Sequence, residues 1–148
     1  MLQRVSRASV TVAGSVAGSI GPGLLLLVGI EPSDTDEDVE RAVDKVTNLR
    51  VFPDDQGRMN MSLLDRGGSV LVVSQFTLLG DVRKGRRPSY GDAASPEMAE
   101  PMVDRMVERL RTAGVHTESG VFGAAMEVDL VNSGPVTLVM AINGGRVR

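Results

Sequence analysis

The chain alternates between two hydrophobic periods. From Leu2 to Val12, β-branched residues stand at Val5, Val10, Thr11 and Val12, Ala13-Gly14 marks a turn, and Ser15 to Ile20 follows as a second short run. Branched side chains suit a pleated sheet and a glycine-bearing pair lets the chain reverse, so this stretch predicts a β-hairpin. Gly21-Pro22-Gly23 then punctuates, and Leu24 to Ile30 is continuously apolar, as expected of a central strand buried on both faces.

After this strand the period changes. Val39, Ala42, Val43, Val46 and Leu49 recur at helical spacing behind a run of acidic residues that favours a helix N-terminus, which predicts a helix from an N-cap at Ser33 to about Arg50. Val51-Phe52-Pro53 reads as a short extended piece and Asp54-Asp55-Gln56-Gly57 as a turn, after which Met59 and Met61 alternate with polar neighbours. Ser69 to Leu78 is rich in Val and predicts a further strand. A second helix is expected from Ser95 as cap, with Pro96 at its first position, a buried stripe at Ala99, Met102, Val103, Met106 and Leu110, and Gly114 at its end. The methionines of that stripe read as core filling.

Three more strands are expected at Val115 to Glu118, Met126 to Val131 and Val136 to Ile142, with Asn132-Ser133-Gly134-Pro135 as a turn between the last two. No repeat, low-complexity tract or linker interrupts the sequence. Residues 1–148 therefore read as one α+β domain.

Composition narrows the chemistry more than the fold. The chain has 148 residues, 42% of them hydrophobic, enough for one core; with three Phe, one Tyr and no Trp, its volume must come from aliphatic residues and eight Met. Cysteine is absent, which excludes disulfides, thiolate metal sites and thiol nucleophiles and agrees with a reducing compartment. Arg4, Ser6, Arg7 and Ser9 interrupt any signal-type apolar run, and Gly21 to Ile30 is too short to cross a bilayer, so a soluble cytoplasmic protein without membrane contact is expected.

A net charge of −3 argues against a general coat for DNA or RNA, whose affinity would rest on many phosphate contacts. Local charge differs from the sum. Acid collects at Asp34, Asp36, Glu37, Asp38 and Glu40, while Arg83, Lys84, Arg86 and Arg87 place four cations within five residues. Alone, each run reads as a solvated helix start or a solvated loop. The basic run, however, lies in a long polar stretch from Leu79 to Ser95, and loops of that length commonly serve a function.

Most hydrolytic devices fall to counting. A Ser-His-Asp triad would have to use His116, the one imidazole, which stands at the start of an expected strand. A zinc site would need a nearly all-carboxylate shell around that same residue, and no phosphate-binding glycine pattern occurs, so neither metal nor cofactor is expected. Chemistry must come from hydroxyls, backbone groups or the substrate. Two segments could supply it: Ser74-Gln75-Phe76-Thr77-Leu78, which finishes an apolar strand just before the basic loop, and Asn132-Ser133-Gly134-Pro135-Val136-Thr137, where Gly before Pro permits unusual backbone angles.

Together these two segments resemble the signature motifs of the D-aminoacyl-tRNA deacylase family, in order and at the right distance. The resemblance extends to Gln3-Arg4-Val5 with Ala8-Ser9-Val10, to Gly57-Arg58-Met59-Asn60, and to Lys84-Gly85 with Arg87-Pro88-Ser89-Tyr90. The sequence departs from the family at Val121 and Ala125, where many relatives carry Arg and Asp, and it begins closer to Gln3-Arg4 than is usual.

The resemblance implies a homodimer of α+β subunits, each with a barrel-like core of mostly antiparallel strands and two main helices packed outside, and with active sites at the interface. It implies hydrolysis of the ester of D-aminoacyl-tRNA, with glycyl-tRNA as a second substrate. Gln75, Phe76, Thr77, Gly134 and Pro135 would form the catalytic set, Gly134-Pro135 being a cis dipeptide that filters chirality in the partner's pocket. Arg4, Ser74, Phe122, Met126, Asn132 and Thr137 would hold substrate, with Arg4 orienting the Gly-Pro element, and Arg83, Lys84, Arg86 and Arg87 would contact tRNA. The vicinal 2′-hydroxyl of the terminal ribose would assist hydrolysis, with Thr77 the one hydroxyl open to suspicion as a nucleophile. A non-catalytic module that binds RNA ends, or a small-molecule-binding regulatory dimer, would fit the same domain size.

Overall fold

The structure, a computed structural model, describes residues 1–148. The N-terminal hairpin forms as expected, with β1 (Leu2–Val12) and β2 (Ser15–Ile20), and the apolar run gives β3 (Gly23–Val28). Helix α1 (Asp36–Asn48) follows, then β4 (Phe52–Pro53), β5 (Met59–Met61), a one-turn helix α2 (Leu63–Arg66) and β6 (Ser69–Ser74). Beyond a 3-10 turn at Phe76–Leu79 and the long loop come α3 (Pro96–Thr112), β7 (Thr117–Ser119), β8 (Met126–Leu138) and a closing hairpin of β9 (Ile142–Asn143) and β10 (Arg146–Val147).

The length of β1 organises the main sheet. One edge pairs antiparallel with β2 through Ala8 to Val12 and with β3 through Leu2 to Val5, while the other runs antiparallel along β8. From β3 the sheet continues through two parallel ladders, to β6 and then to β7. The architecture is thus α+β with a mixed, curled sheet in which antiparallel pairing dominates around β1. Gly23 opens the parallel ladder opposite Ser69, and a Cβ there would stand 1.9 Å from the Ser69 carbonyl oxygen, so only glycine fits.

Alternation along β3 and β6 splits the apolar core. Leu24, Leu26, Val70 and Val72 face α1 and α3 and join a cluster of 20 buried residues, whereas Leu25, Leu71 and Val73 face the opposite side with Val5, Ala8, Val10 and Ile20. Burial on both faces is what the uninterrupted apolar runs required. Met102 and Met106 lie in the larger cluster as core residues.

Several expectations shift. The cap of α1 is Thr35, not Ser33, because the Asp38 carboxylate accepts from the Thr35 N–H at 2.9 Å and its hydroxyl at 2.8 Å. The strand from Ser69 stops at Ser74 instead of Leu78. Met126 to Leu138 is one strand, not two with an intervening turn, since β1 is long enough to serve both halves. The acidic run is more than solvated: Asp36 and Glu40 pair across to Arg105 and Arg109 of α3, and Asp38 also accepts from the Gly145 N–H at 2.8 Å, fastening the C-terminal hairpin to α1.

Candidate functional site

The first signature segment leaves the sheet at the end of β6. Ser74 is the last paired residue, opposite Val28, and the Gln75 N–H still reaches the Val28 carbonyl at 2.7 Å before the chain tightens into the 3-10 turn. The turn's first bond runs from the Leu78 N–H to the Gln75 carbonyl at 3.2 Å, so the N–H groups of Phe76 and Thr77 precede its hydrogen-bonding pattern. The side chains of Phe76, Thr77 and Leu78 are exposed. Behind the turn, Leu78 and Leu79 line a largely apolar pocket of about 300 Å³ together with Leu26, Val28, Met102 and Met106.

Thr77 lacks the partner a nucleophile needs. Its hydroxyl accepts a hydrogen bond from the Gln75 side-chain amide, and an amide cannot take a proton. His116 is exposed just ahead of β7, its Nε2 3.5 Å from Glu118 Oε1, and makes no hydrogen bond to Thr77.

The basic loop is held closed at its base. Asp81 and Ser89 exchange backbone hydrogen bonds of 2.7 and 2.9 Å, pinching residues 82–88 into an exposed lobe. Within it Arg83 differs from the other cations: its guanidinium grips Asp81 through Nε at 2.9 Å and Nη2 at 2.8 Å. That fork holds the Asp81 carboxyl below the usual carboxylate range and raises Arg83. Lys84, Arg86 and Arg87 are exposed and form no ion pair.

Sequence reasoning passed over Tyr90 as a site residue. It follows directly after the base of the lobe, and its ring meets Phe76 edge to face, joining an aromatic surface to the cations. Being the chain's one Tyr, in a polar loop, was the available signal.

The second segment bulges out of β8. Val5 pairs with Asn132 and Gln3 with Thr137, so Arg4 alone stands opposite the four residues Ser133 to Val136. Arg4 uses this position to donate from Nε to the Ser133 carbonyl at 2.8 Å and from Nη1 to the Val51 carbonyl at 2.5 Å. Gly134-Pro135 is a cis peptide, exposed at the tip, and no side chain donates to either carbonyl. Gln3, another residue not singled out for the site, donates to Thr137 Oγ1 at 3.3 Å.

Within one chain the two segments are not neighbours. Strands β3 and β1 separate β6 from β8, about 14 Å at the usual spacing, and no hydrogen bond bridges them. Phe122 is half-buried against the larger cluster and Met126 against the smaller one.

The profile of the family described as D-Tyr-tRNA(Tyr) deacylase matches residues 1–141, a span that holds both signature segments and the basic lobe. The chain belongs to the D-Tyr-tRNA(Tyr) deacylase family. Relatives of this deacylase family include the D-aminoacyl-tRNA deacylase of Bacillus velezensis, 55% identical over 140 residues that cover 95% of each chain. That of Thermomicrobium roseum is 59% identical over 138 residues, covering 93% of this chain and 90% of its own. Among solved structures, one described as c-Myc DNA Unwinding Element Binding Protein superposes with a TM-score of 0.86 at 42% identity, covering 93% of both chains. Another, described as a probable eukaryotic D-amino acid tRNA deacylase, has a TM-score of 0.79 at 20% identity over 90% of this chain and 93% of its own, and shares the deacylase fold. No helix of this family member is long and apolar enough to cross a membrane.

Proposed function

We propose that this chain is a D-aminoacyl-tRNA deacylase that cleaves the ester between a D-amino acid and the 3′ end of tRNA, with glycyl-tRNA as a second substrate. The observation that carries the reading is the family match across residues 1–141, which includes both signature segments. An aminoacyl ester is already activated, and the 2′-hydroxyl beside it can assist attack, so the reaction does not need the triad that a single exposed His116 cannot form. In this reading the terminal adenine packs on Phe76, backed by Tyr90, while Gln75 and the N–H groups of Phe76 and Thr77 position the ester and stabilise the developing oxyanion. Lys84, Arg86 and Arg87 supply phosphate contacts.

Chirality is read by the backbone. The carbonyls of Gly134 and Pro135 receive the substrate's α-ammonium group, a D side chain then points away, and an L side chain meets the protein backbone. Glycine, without a side chain, passes. The tip acts on a second copy of the chain: β8 pairs with β1 alone, so its other edge is open for association, and two strands lie between the tip and its own chain's Ser74 to Thr77. The proposed setting is the cytoplasm, where aminoacyl-tRNA is used.

The test is single-turnover deacylation of matched D- and L-tyrosyl-tRNA and glycyl-tRNA, run beside a measurement of molar mass in solution. Loss of D-tyrosine and glycine with L-tyrosine retained, from a dimer, is the expected result. Tight binding of tRNA without turnover would instead favour a module that binds RNA ends.

A further inference from the structure

We propose that Asn132 is a positioning residue that clips the neck of the Gly134-Pro135 excursion and thereby sets the direction of the chiral filter; this rests on the proposed filter. An ordinary bulge sets two residues against one, whereas here four residues of β8 oppose Arg4 alone. Strand pairing therefore stops at Asn132 and resumes at Thr137, and something other than the ladder must fix the path between them.

The Asn132 side chain fills that role. Its Oδ1 accepts from the Val136 N–H at 2.8 Å, and its Nδ2 donates to Thr137 Oγ1 at 2.8 Å and to the Val136 carbonyl at 3.3 Å. The amide thus takes the place of a strand partner, joining the residue where the excursion leaves the sheet to the two where it returns. Both Nδ2 protons are committed within β8, which leaves this side chain no N–H donor for substrate. On the other flank Arg4 holds the Ser133 carbonyl, and Gln3 adds a second donor to Thr137 Oγ1. The residues on either side of the tip are tied by side chains, while Gly134 and Pro135 are exposed with no side-chain donor on their carbonyls. Asparagine suits this position because one side chain must both accept from and donate to the backbone; aspartate keeps the acceptor and loses both donors.

The experiment compares Asn132→Ala, Asn132→Asp, Thr137→Val and the double variant Asn132→Asp/Thr137→Val with the wild-type protein. It measures kcat and KM on D-tyrosyl-tRNA and the ratio of D to L deacylation, with thermal melting to confirm folding. Misplacing a positioning element by about 1 Å can cost about a hundredfold in rate. Asn132→Ala is expected to lower kcat on D-tyrosyl-tRNA by about ten- to a hundredfold and to shrink the D-to-L ratio, with KM little changed because tRNA is gripped at the lobe. Asn132→Asp and Thr137→Val, which retain part of the clip, should fall between. Both remove the donation from Asn132 Nδ2 to Thr137 Oγ1, while Thr137→Val also frees the Gln3 amide, so the loss in the double variant should be smaller than the product of the two single losses. If Asn132→Ala does not fold, these three still decide the matter.

A folded Asn132→Ala with wild-type kcat and chiral ratio would overturn the proposal, as would a double variant whose loss is the product of the two single losses. Gly134→Ala separates this inference from the reading beneath it, since a Cβ there would stand 2.8 Å from Val136 Cγ2 and 2.9 Å from Arg4 Nη2 at a φ of +139°. If Gly134→Ala destroys the chiral ratio and Asn132→Ala does not, the filter stands and the clip is wrong. An unchanged ratio in Gly134→Ala would overturn both.

Discussion

Phe76 and Tyr90 meet edge to face, with ring centroids 5.0 Å apart and planes at 74°. Phe76 is 56% exposed, so the contact leaves area free for a nucleobase. Base stacking on an aromatic ring contributes roughly 1–3 kcal/mol. Phe76→Ala should therefore raise the KM for D-aminoacyl-tRNA by about five- to a hundredfold, and Tyr90→Ala, which only releases the ring, should raise it less. Steady-state kinetics with one D-aminoacyl-tRNA check both, and an equal effect of the two would mean that Tyr90 contacts substrate itself.

The basic lobe divides into two kinds of cation. Lys84, Arg86 and Arg87 form no ion pair, whereas Arg83 is forked onto Asp81. Neutralising the first three should weaken tRNA binding and reduce the slope of log K against log salt by up to about 0.7–0.9 per cation, with chiral preference unchanged. Arg83→Gln should change the slope less and loosen the lobe instead. Filter binding over a salt series distinguishes them, and an unaltered slope in the triple variant would return those residues to solvent.

Thr77 tests the role of the substrate's own hydroxyl. Its Oγ1 accepts from the Gln75 amide and no base adjoins it, so Thr77→Ala should retain deacylation within about tenfold. A substrate ending in 2′-deoxyadenosine should be hydrolysed poorly by the unmodified protein. Trapping an aminoacyl adduct on Thr77 would reverse this assignment.

Asp38 joins the cap of α1 to the C-terminal hairpin. The Gly145 N–H, with the hydroxyl and N–H of Thr35, holds its carboxyl below the ordinary value of 3.8 in spite of burial. With the folded value depressed, the contribution is fully present above the unfolded pKa of about 3.9 and is lost as pH falls through the folded one. Asp38→Asn should lower Tm by about 2–4 °C at pH 7, for a loss of about 1 kcal/mol, and this gap should narrow below about pH 4. Melting curves from pH 2 to 7 provide the check.

Apart from the α1 cap at Thr35, elements whose boundaries follow from local chemistry could be read from sequence, and those set by a distant partner could not. The hairpin of β1 and β2 and the start of α3 rest on turn residues, a proline and a helical stripe, and they stand where the pattern placed them. Met126 to Leu138 looked like two strands around a turn because Asn132-Ser133-Gly134-Pro135 carries turn residues, and only the register against β1 makes it one strand. The same limit applies to the site. Ser74 to Leu78 and Asn132 to Thr137 were recognisable as motifs, and the resemblance singled out Arg4 as orienting the Gly-Pro element, but the Ser133 carbonyl as its partner and the hold of Gln3 on Thr137 depend on β1 lying alongside β8, well over a hundred residues away in sequence. Tyr90 was hidden for a like reason, since its contact with Phe76 requires the loop to close at Asp81 and Ser89.

Arg4 offers the most demanding test of the filter, because its side chain spans two carbonyls that belong to different parts of the fold. Nε reaches Ser133 on the excursion and Nη1 reaches Val51 beyond α1, so the guanidinium ties the base of the tip to a residue of the buried core. Arg4→Lys preserves charge and much of the apolar stem, but an ammonium is a single point of donation and cannot hold both carbonyls in the fixed geometry of the planar fork. Misplacing a positioning element by about 1 Å can cost about a hundredfold in rate, so Arg4→Lys, if the fold persists, should cost roughly ten- to a hundredfold in kcat/KM on D-tyrosyl-tRNA. The ratio of D to L deacylation should fall with it, and salt-dependent tRNA binding should stay as in the wild type, since the lobe is untouched. Parallel measurement of kcat/KM, chiral ratio and salt slope for Arg4→Lys decides the point. If the lysine variant keeps the wild-type ratio, the direction of Gly134-Pro135 is set without Arg4.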